Sequence, residues 1–207
     1  SGFQKLENML VLPQGGETSR PGPKYIGTAK IPNSGGETAI RLIPFEYSDE
    51  QAYVLELGHE YMRFYTSDGV LLETPNSTNS DQITAATNAN PVQITTKYAK
   101  GFSNGDSVYI TGVKSMTELK NREFQITNST STTFTLLHPA STAVDGTGFG
   151  TFVATLGVAT ERVGKIHEIS TPWGANDLDG INYTQSADVV YFAHKDYQAR
   201  ELYRINA

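Results

Sequence analysis

Gly101-Phe-Ser-Asn-Gly105 is the segment whose residue types come nearest to catalysis. It fits G-x-S-x-G, the pattern that presents a serine nucleophile on a sharp strand-to-helix turn. Immediately downstream, Asp106-Ser-Val-Tyr-Ile-Thr alternates as a strand, so the segment reads as a hairpin turn. His59-Glu60 and His167-Glu168 begin like the zinc motif H-E-x-x-H, but Arg63 and Thr171 stand where the second histidine belongs. Asn176-Asp177-Leu178-Asp179-Gly180 hints at a calcium loop. Ala175 occupies its first ligand position and Ser186 the place of the bidentate glutamate, so a helix end and turn explain it better. Gly146-Thr-Gly-Phe-Gly150 lacks the helix and lysine of a phosphate cradle. Asp145 and Glu118 have the types of a glycosidase acid–base pair, but no spacing favours that over two solvated loop carboxylates. No catalytic, cofactor-binding or metal-binding set is therefore expected.

The aromatic residues carry a different chemistry. Tyrosines 47, 53, 61, 65, 191, 197 and 203 cluster in two hairpin regions, where sheet packing is their ordinary role. Tyrosine is also enriched at interfaces. Tyr61, Tyr98, Tyr109, Tyr197 and Trp173 are the candidates for interface or ligand contact, although Trp173 reads first as a core plug and only second as a residue that stacks on a sugar.

The elements that must position these residues are strands. Arg41 to Leu72 alternates apolar and polar residues and turns at Ser48-Asp49-Glu50, at Gly58-His59-Glu60 and at Asp68-Gly69. That predicts an antiparallel meander of up to four strands. Tyr53, Leu55 and Leu57 share one face, which Met62 and Phe64 continue. Before the meander, one or two helical turns are predicted over 3–9, a short strand at Val11-Leu12, and another strand over Tyr25 to Ile31. The polar spell 74–81 marks a module boundary, after which the composition becomes Thr-, Asn- and Gly-rich. Strands are predicted there at 82–86, 92–96, 107–113, 123–128, 133–137 and 149–153, a spacing that suggests a small barrel or sandwich. Beyond 155 come a strand at 166–169, a helix starting at Thr171-Pro172 and covering Trp173–Leu178, and a second hairpin region over 186–205 that echoes the meander. The expected class is all-β: a discontinuous antiparallel, propeller-like sheet domain over 1–81 and 156–207, with an inserted small β-barrel or sandwich at 82–155.

Composition narrows the function. The chain has 207 residues, no cysteine and a net charge of −6. Disulfides, thiolate metal sites and cysteine nucleophiles are excluded. The acidic balance argues against an electrostatic grip on nucleic acid. No apolar run approaches the roughly 20 residues of a membrane span, and the first residues lack the features of a signal peptide.

Three stretches resemble a known family. They are Glu7-Asn8 with Leu12-Pro13-Gln14-Gly15-Gly16 and Arg20-Pro21-Gly22; Arg41-Leu-Ile-Pro-Phe-Glu-Tyr-Ser with Gln51-Ala-Tyr-Val-Leu-Glu-Leu-Gly and Arg63-Phe-Tyr; and Gln185-Ser-Ala-Asp-Val-Val-Tyr-Phe-Ala-His-Lys-Asp-Tyr. These look like virion proteins of tailed phages and prophages, similar to the tail tubular or nozzle proteins of short-tailed phages. The resemblance implies a homo-oligomeric ring below the head–tail adaptor, with fibre proteins as further partners and DNA passing without sequence-specific binding. It also implies assembly in a bacterial cytoplasm, a place in the virion and no catalysis. Family members extend beyond both ends, so the chain reads as a fragment or a shortened relative. Gly101-Phe-Ser-Asn-Gly-Asp-Ser-Val-Tyr-Ile-Thr-Gly-Val, Met116-Thr-Glu-Leu-Lys-Asn-Arg and Asp145-Gly-Thr-Gly-Phe-Gly resemble a β-barrel module inserted in such proteins. That module is similar in shape to the first catalytic-cysteine half-domain of ubiquitin-activating enzyme. The alternative expectation is a module that binds host-surface glycan or tail-fibre protein, with Tyr98 and Tyr109 as contacts.

Overall fold

A computed structural model describes residues 9–11, 13, 16–20, 22, 25–30, 39–48, 51–73, 82–99, 101–139, 142–154 and 161–203. Of the helical turns expected over 3–9, only Met9 is described, and it is strand; the boundary at 74–81 and the end of the second hairpin region lie outside the described residues. The class is all-β and antiparallel in every paired strand.

β1 (Met9–Val11) pairs with β2 (Glu17–Ser19). β3 (Arg41–Ser48), β4 (Gln51–Gly58), β5 (Tyr61–Thr66) and β6 (Gly69–Val70) form the four-stranded meander that the alternation predicts. The second sheet takes β7 (Ile83–Ala86), β8 (Gln93–Thr96), β9 (Ser107–Thr111), β10 (Arg122–Thr127), β11 (Thr133–Leu137) and β12 (Arg162–Lys165), in the order β12-β9-β10-β11-β8-β7. It curls until its two end strands meet at one bridge, Gln82 to Arg162. Its core holds Ile94, Ile110, Phe124, Phe134, Leu136 and Val163, among others. β13 (Glu168–Ser170) then returns to the meander beside β5, and β14 (Asn182–Ser186), β15 (Val189–His194) and β16 (Tyr197–Tyr203) make a three-stranded sheet. The change of sheet therefore falls between Lys165 and Glu168, later than the change of composition near 155.

The three-stranded sheet and the meander pack face to face. Ile43, Leu55, Leu57, Met62 and Phe64 meet Trp173, Leu178, Val190 and Phe192 in one apolar cluster. Each such side chain contributes about 1.5–3 kcal/mol on burial. The two hairpin regions that echo each other in sequence are thus the two layers of one sandwich.

Three local expectations need correction. Residues 25–30 form no strand; they lie on side chains of the meander instead of extending its ladder. Residues 149–153 form no strand either, because the Asn88 amide takes the carbonyls of Phe149 (2.8 Å) and Gly150 (3.3 Å) and Ser115 Oγ takes the N–H of Val153 (2.8 Å). The helix near Trp173 is a 3-10 turn over Ala175–Gly180, capped by Gly174. Thr171 N–H donates to the Glu60 carbonyl (3.0 Å) and Glu60 N–H to the Trp173 carbonyl (2.8 Å), which pins 171–173 in an extended course. Helical backbone begins only after that clamp ends.

Candidate functional site

Strand β5 is buried on both sides: Tyr61, Met62, Arg63 and Phe64 are all shielded from solvent. Period-2 alternation sends Met62 and Phe64 into the apolar cluster and sends Tyr61, Arg63 and Tyr65 to the opposite face. Glu56 on β4 sits directly across from Arg63, so around β5 one face of the meander is apolar and the other is built of charges and phenols.

Four separated parts of the chain converge on that polar face. Arg63, 0% exposed, donates from Nε to Glu168 Oε2 (2.9 Å) and forks onto Glu123, at 3.1 Å to Oε2 and 2.9 Å to Oε1. A terminal nitrogen also reaches Ser107 Oγ at 2.9 Å. Lys30 Nζ donates to Glu168 Oε1 (2.6 Å) and lies 4.6 Å from the centre of the Tyr61 ring. Ser107 and Glu123 belong to β9 and β10, so Arg63 joins the meander to the second sheet. The planar guanidinium suits this task because its donors match a carboxylate in pairs.

Glu56 is buried beside this cluster. Tyr61 Oη and the Lys30 N–H donate to its Oε1 at 2.8 and 3.1 Å, and Tyr65 Oη donates to Oε2 at 2.8 Å. Tyr61 reaches back this way because Gly58, opposite it, has no side chain: a Cβ there would lie 2.2 Å from the Tyr61 ring. Burial pushes the Tyr61 and Tyr65 hydroxyls well above the ordinary phenol range, and the Glu56 carboxylate adds to it. Burial also works against the charged form of Glu168, but hydrogen bonds from Lys30 and Arg63 outweigh it and hold that carboxyl below its ordinary value. Three carboxylates face two cations, and both oxygens of each carboxylate are engaged.

The two sheets diverge beyond Arg63 and leave a cleft of about 180 Å³, bordered by Tyr25, Tyr65, Tyr109, Asn121, Arg122 and the backbone of 26–29. A second cavity, about 390 Å³ and almost wholly apolar, opens at the mouth of the sandwich between Phe45, Phe64, Ile169 and Leu202, with His167 on its rim.

The candidate residues separate accordingly. Tyr109 borders the cleft. Tyr98 is exposed elsewhere, with Lys97 Nζ 5.4 Å from its ring centre. Trp173 is a core residue, its ring 5.5 Å from that of Phe192, and Tyr61 is buried against Glu56; neither can meet a partner from solvent. Tyr197 donates to Asp177 Oδ2 (2.6 Å), while the Gly174 N–H donates to the same oxygen (3.0 Å). Asp177, the second residue of the calcium-loop hint, is therefore occupied inside the 3-10 turn, bonded back to its capping residue Gly174. Ser103 of the G-x-S-x-G segment lies in the turn before β9, its N–H held by Asp106 Oδ2 (2.8 Å). Asp145 receives the N–H and hydroxyl of Thr147 (3.0 and 2.7 Å) in a local turn. Among the described residues, no group of three or more histidine, aspartate or glutamate side chains has the arrangement of a metal site. Sequence reading missed Arg63, Glu56, Glu123 and Glu168. The one available signal was a lone arginine in the middle of an otherwise apolar and aromatic strand.

No protein-family model matches the chain, and no curated protein matches it in sequence.

Proposed function

We propose that the chain is a structural subunit of a phage tail that works by packing against copies of itself. The observation that carries the reading is a pair of exposed apolar surfaces on opposite outer faces of one sandwich. On the three-stranded sheet, Tyr191 (44% exposed) and Tyr203 (54%) stand outward beside Val189. On the meander, Leu42 (62% exposed), Pro44 and Val54 stand outward at the β3 side. A ring closed by rotation needs two different surfaces per subunit, each fitted to the other.

Edge pairing is discouraged at β3. Pro44 has no N–H to offer there, and the Glu46 N–H and carbonyl are taken by the Gln185 side-chain amide at 3.2 and 2.5 Å. Contact through side chains on the sheet faces remains. The junction at Arg63 suits a part under mechanical stress, because it fixes the second sheet to the meander through several bonds at once. The resemblance to tail tubular proteins supplies the tail, the adaptor and the fibre proteins as partners. An acidic chain neutralises few phosphates, which fits passage of DNA instead of retention.

Sedimentation velocity over rising concentration tests this reading. The expected result is a discrete oligomer that is lost in Tyr191→Glu and in Leu42→Glu. Mixing these two variants leaves one intact contact and should give dimers only. A wild-type chain that stays monomeric at every concentration, or variants that oligomerise normally, would overturn it.

A further inference from the structure

We propose that the cleft between the two sheets binds a neutral sugar, with Tyr109, Tyr25 and Asn121 as its contact residues. This goes beyond the assembly reading and holds whether or not copies associate.

The cleft arises from the sheet geometry. Tyr109 stands on β9 directly across from Glu123 on β10, on the face that carries Ser107. Tyr65 stands two residues beyond Arg63 on the meander. Ser107, Glu123 and Arg63 close together; Tyr65 and Tyr109, one step farther out on each sheet, do not. The segment 25–29 covers the gap, with Gly27 against the Tyr65 ring, where a Cβ would lie 3.3 Å from the ring edge. The Tyr25 hydroxyl bonds Thr28 Oγ1, which folds the segment into a short arch over the cleft.

The lining decides the ligand class. Three tyrosines line a space the size of one sugar ring; the Tyr65 and Tyr25 hydroxyls are engaged by Glu56 and Thr28, so those two residues offer ring surface and Tyr109 offers ring and hydroxyl. Among the described residues, neither the Asn121 side-chain amide nor the Tyr109 hydroxyl takes a hydrogen-bond partner. Both are therefore free to bind hydroxyl groups, and an amide can donate and accept at once. Asn121 holds a left-handed backbone (φ 54°), with its backbone N–H bonded to the Ile110 carbonyl (2.8 Å), which fixes the turn that carries it. The Arg122 guanidinium donates to the Glu118 carbonyl (3.1 Å) and lies 5.7 Å from the centre of the Phe124 ring, on the face of β10 opposite Glu123. Glu123, the carboxylate at the floor, is matched by Arg63 through both oxygens. The one carboxylate at the cleft is thus paired, and the Arg122 guanidinium lies on the other face of β10; the polar groups left facing the cleft are neutral, and too many for a purely apolar ligand. The apolar cavity at the sandwich mouth has the opposite character.

The test uses neutral disaccharides of glucose, galactose, mannose and N-acetylglucosamine at millimolar concentration, followed by 1H–15N NMR on the full chain. At least one should shift the Asn121 side-chain amide and the backbone amides of Gly27 and Tyr109. Tyr109→Ala should weaken that binding about tenfold, the loss of roughly one ring contact. Asn121→Gly, which keeps the left-handed backbone, should weaken it with the spectrum of the fold unchanged. Tyr98→Ala, outside the cleft, should leave it intact. No shift with any of the sugars, shifts confined to other surfaces, or binding indifferent to both cleft variants would overturn the proposal. Preference for acidic sugars over the neutral ones would overturn it as well.

Discussion

The two faces of β5, and of β4 from Leu55 to Leu57, are both buried and held in opposite ways. On one, Leu55, Leu57, Met62 and Phe64 pack against apolar neighbours with no directional requirement. On the other, Glu56, Arg63, Tyr61 and Tyr65 are held by bonds of fixed geometry. Apolar packing responds to substitution in proportion to the volume lost. A buried charge responds all or none, because removing one partner leaves the other desolvated and unpaired. One strand therefore carries both a tolerant and an intolerant surface, and the intolerant one is the one that meets the second sheet.

The largest effect is expected at Arg63. Arg63→Met should destabilise by about 3–5 kcal/mol in chemical denaturation, since Glu123 and Glu168 lose their common partner. Met62→Ala, one residue away on the other face, should cost about 2–5 kcal/mol by the cavity it leaves. Size alone does not separate the faces; rescue does. Adding Glu123→Leu and Glu168→Leu to Arg63→Met should restore much of the loss, and no second polar-to-apolar change can refill the Met62 cavity.

Much of the fold can be read in the sequence and the junction cannot, for a physical reason. The hairpin turns are local: Gly58-His59-Glu60 and Asp68-Gly69 break the alternation where the chain reverses. Arg63 finds its partners 60 and 105 residues away, and no local pattern encodes that meeting. Arg63 lies between Met62 and Phe64, on the face turned away from the apolar cluster, and what covers that face lies in another sheet. The same limit applies to 25–30, whose extended course is visible but whose place on top of Tyr65 is not. Of the aromatic candidates, Tyr109 reaches a cleft because of its strand position, while Tyr61 is drawn inward by Gly58 and Glu56.

Smaller effects sharpen the contrast. Gly58→Val should cost about 1–3 kcal/mol by thermal or chemical unfolding, because the added carbons displace the Tyr61 ring. Tyr61→Phe should recover part of that loss in the double variant, since the ring then has no bond to keep. The polar face should also impose two limits of pH. Glu168 has a lowered carboxyl value in the fold, so its contribution is present above the ordinary glutamate value, about pH 4.3, and is lost as pH falls through the lowered value. Tyr61 and Tyr65 have raised hydroxyl values, so their contribution is complete below about pH 10 and is lost as pH rises beyond it. Denaturation midpoints across pH should therefore fall at both ends, and Glu168→Gln should flatten the acid limb only. The smallest effect belongs to the exposed pair Lys195–Asp196 (3.3 Å), where Lys195→Ala should change stability by less than about 0.5 kcal/mol.

Differential scanning calorimetry of the intact chain and of Arg63→Met tests most directly whether the polar face welds the two sheets into one body. The wild-type chain should unfold in a single transition whose calorimetric and van't Hoff enthalpies agree, and Arg63→Met should split it in two, the sandwich and the curled sheet melting apart. Two transitions in the wild type, or a single unshifted one in Arg63→Met, would contradict such a weld.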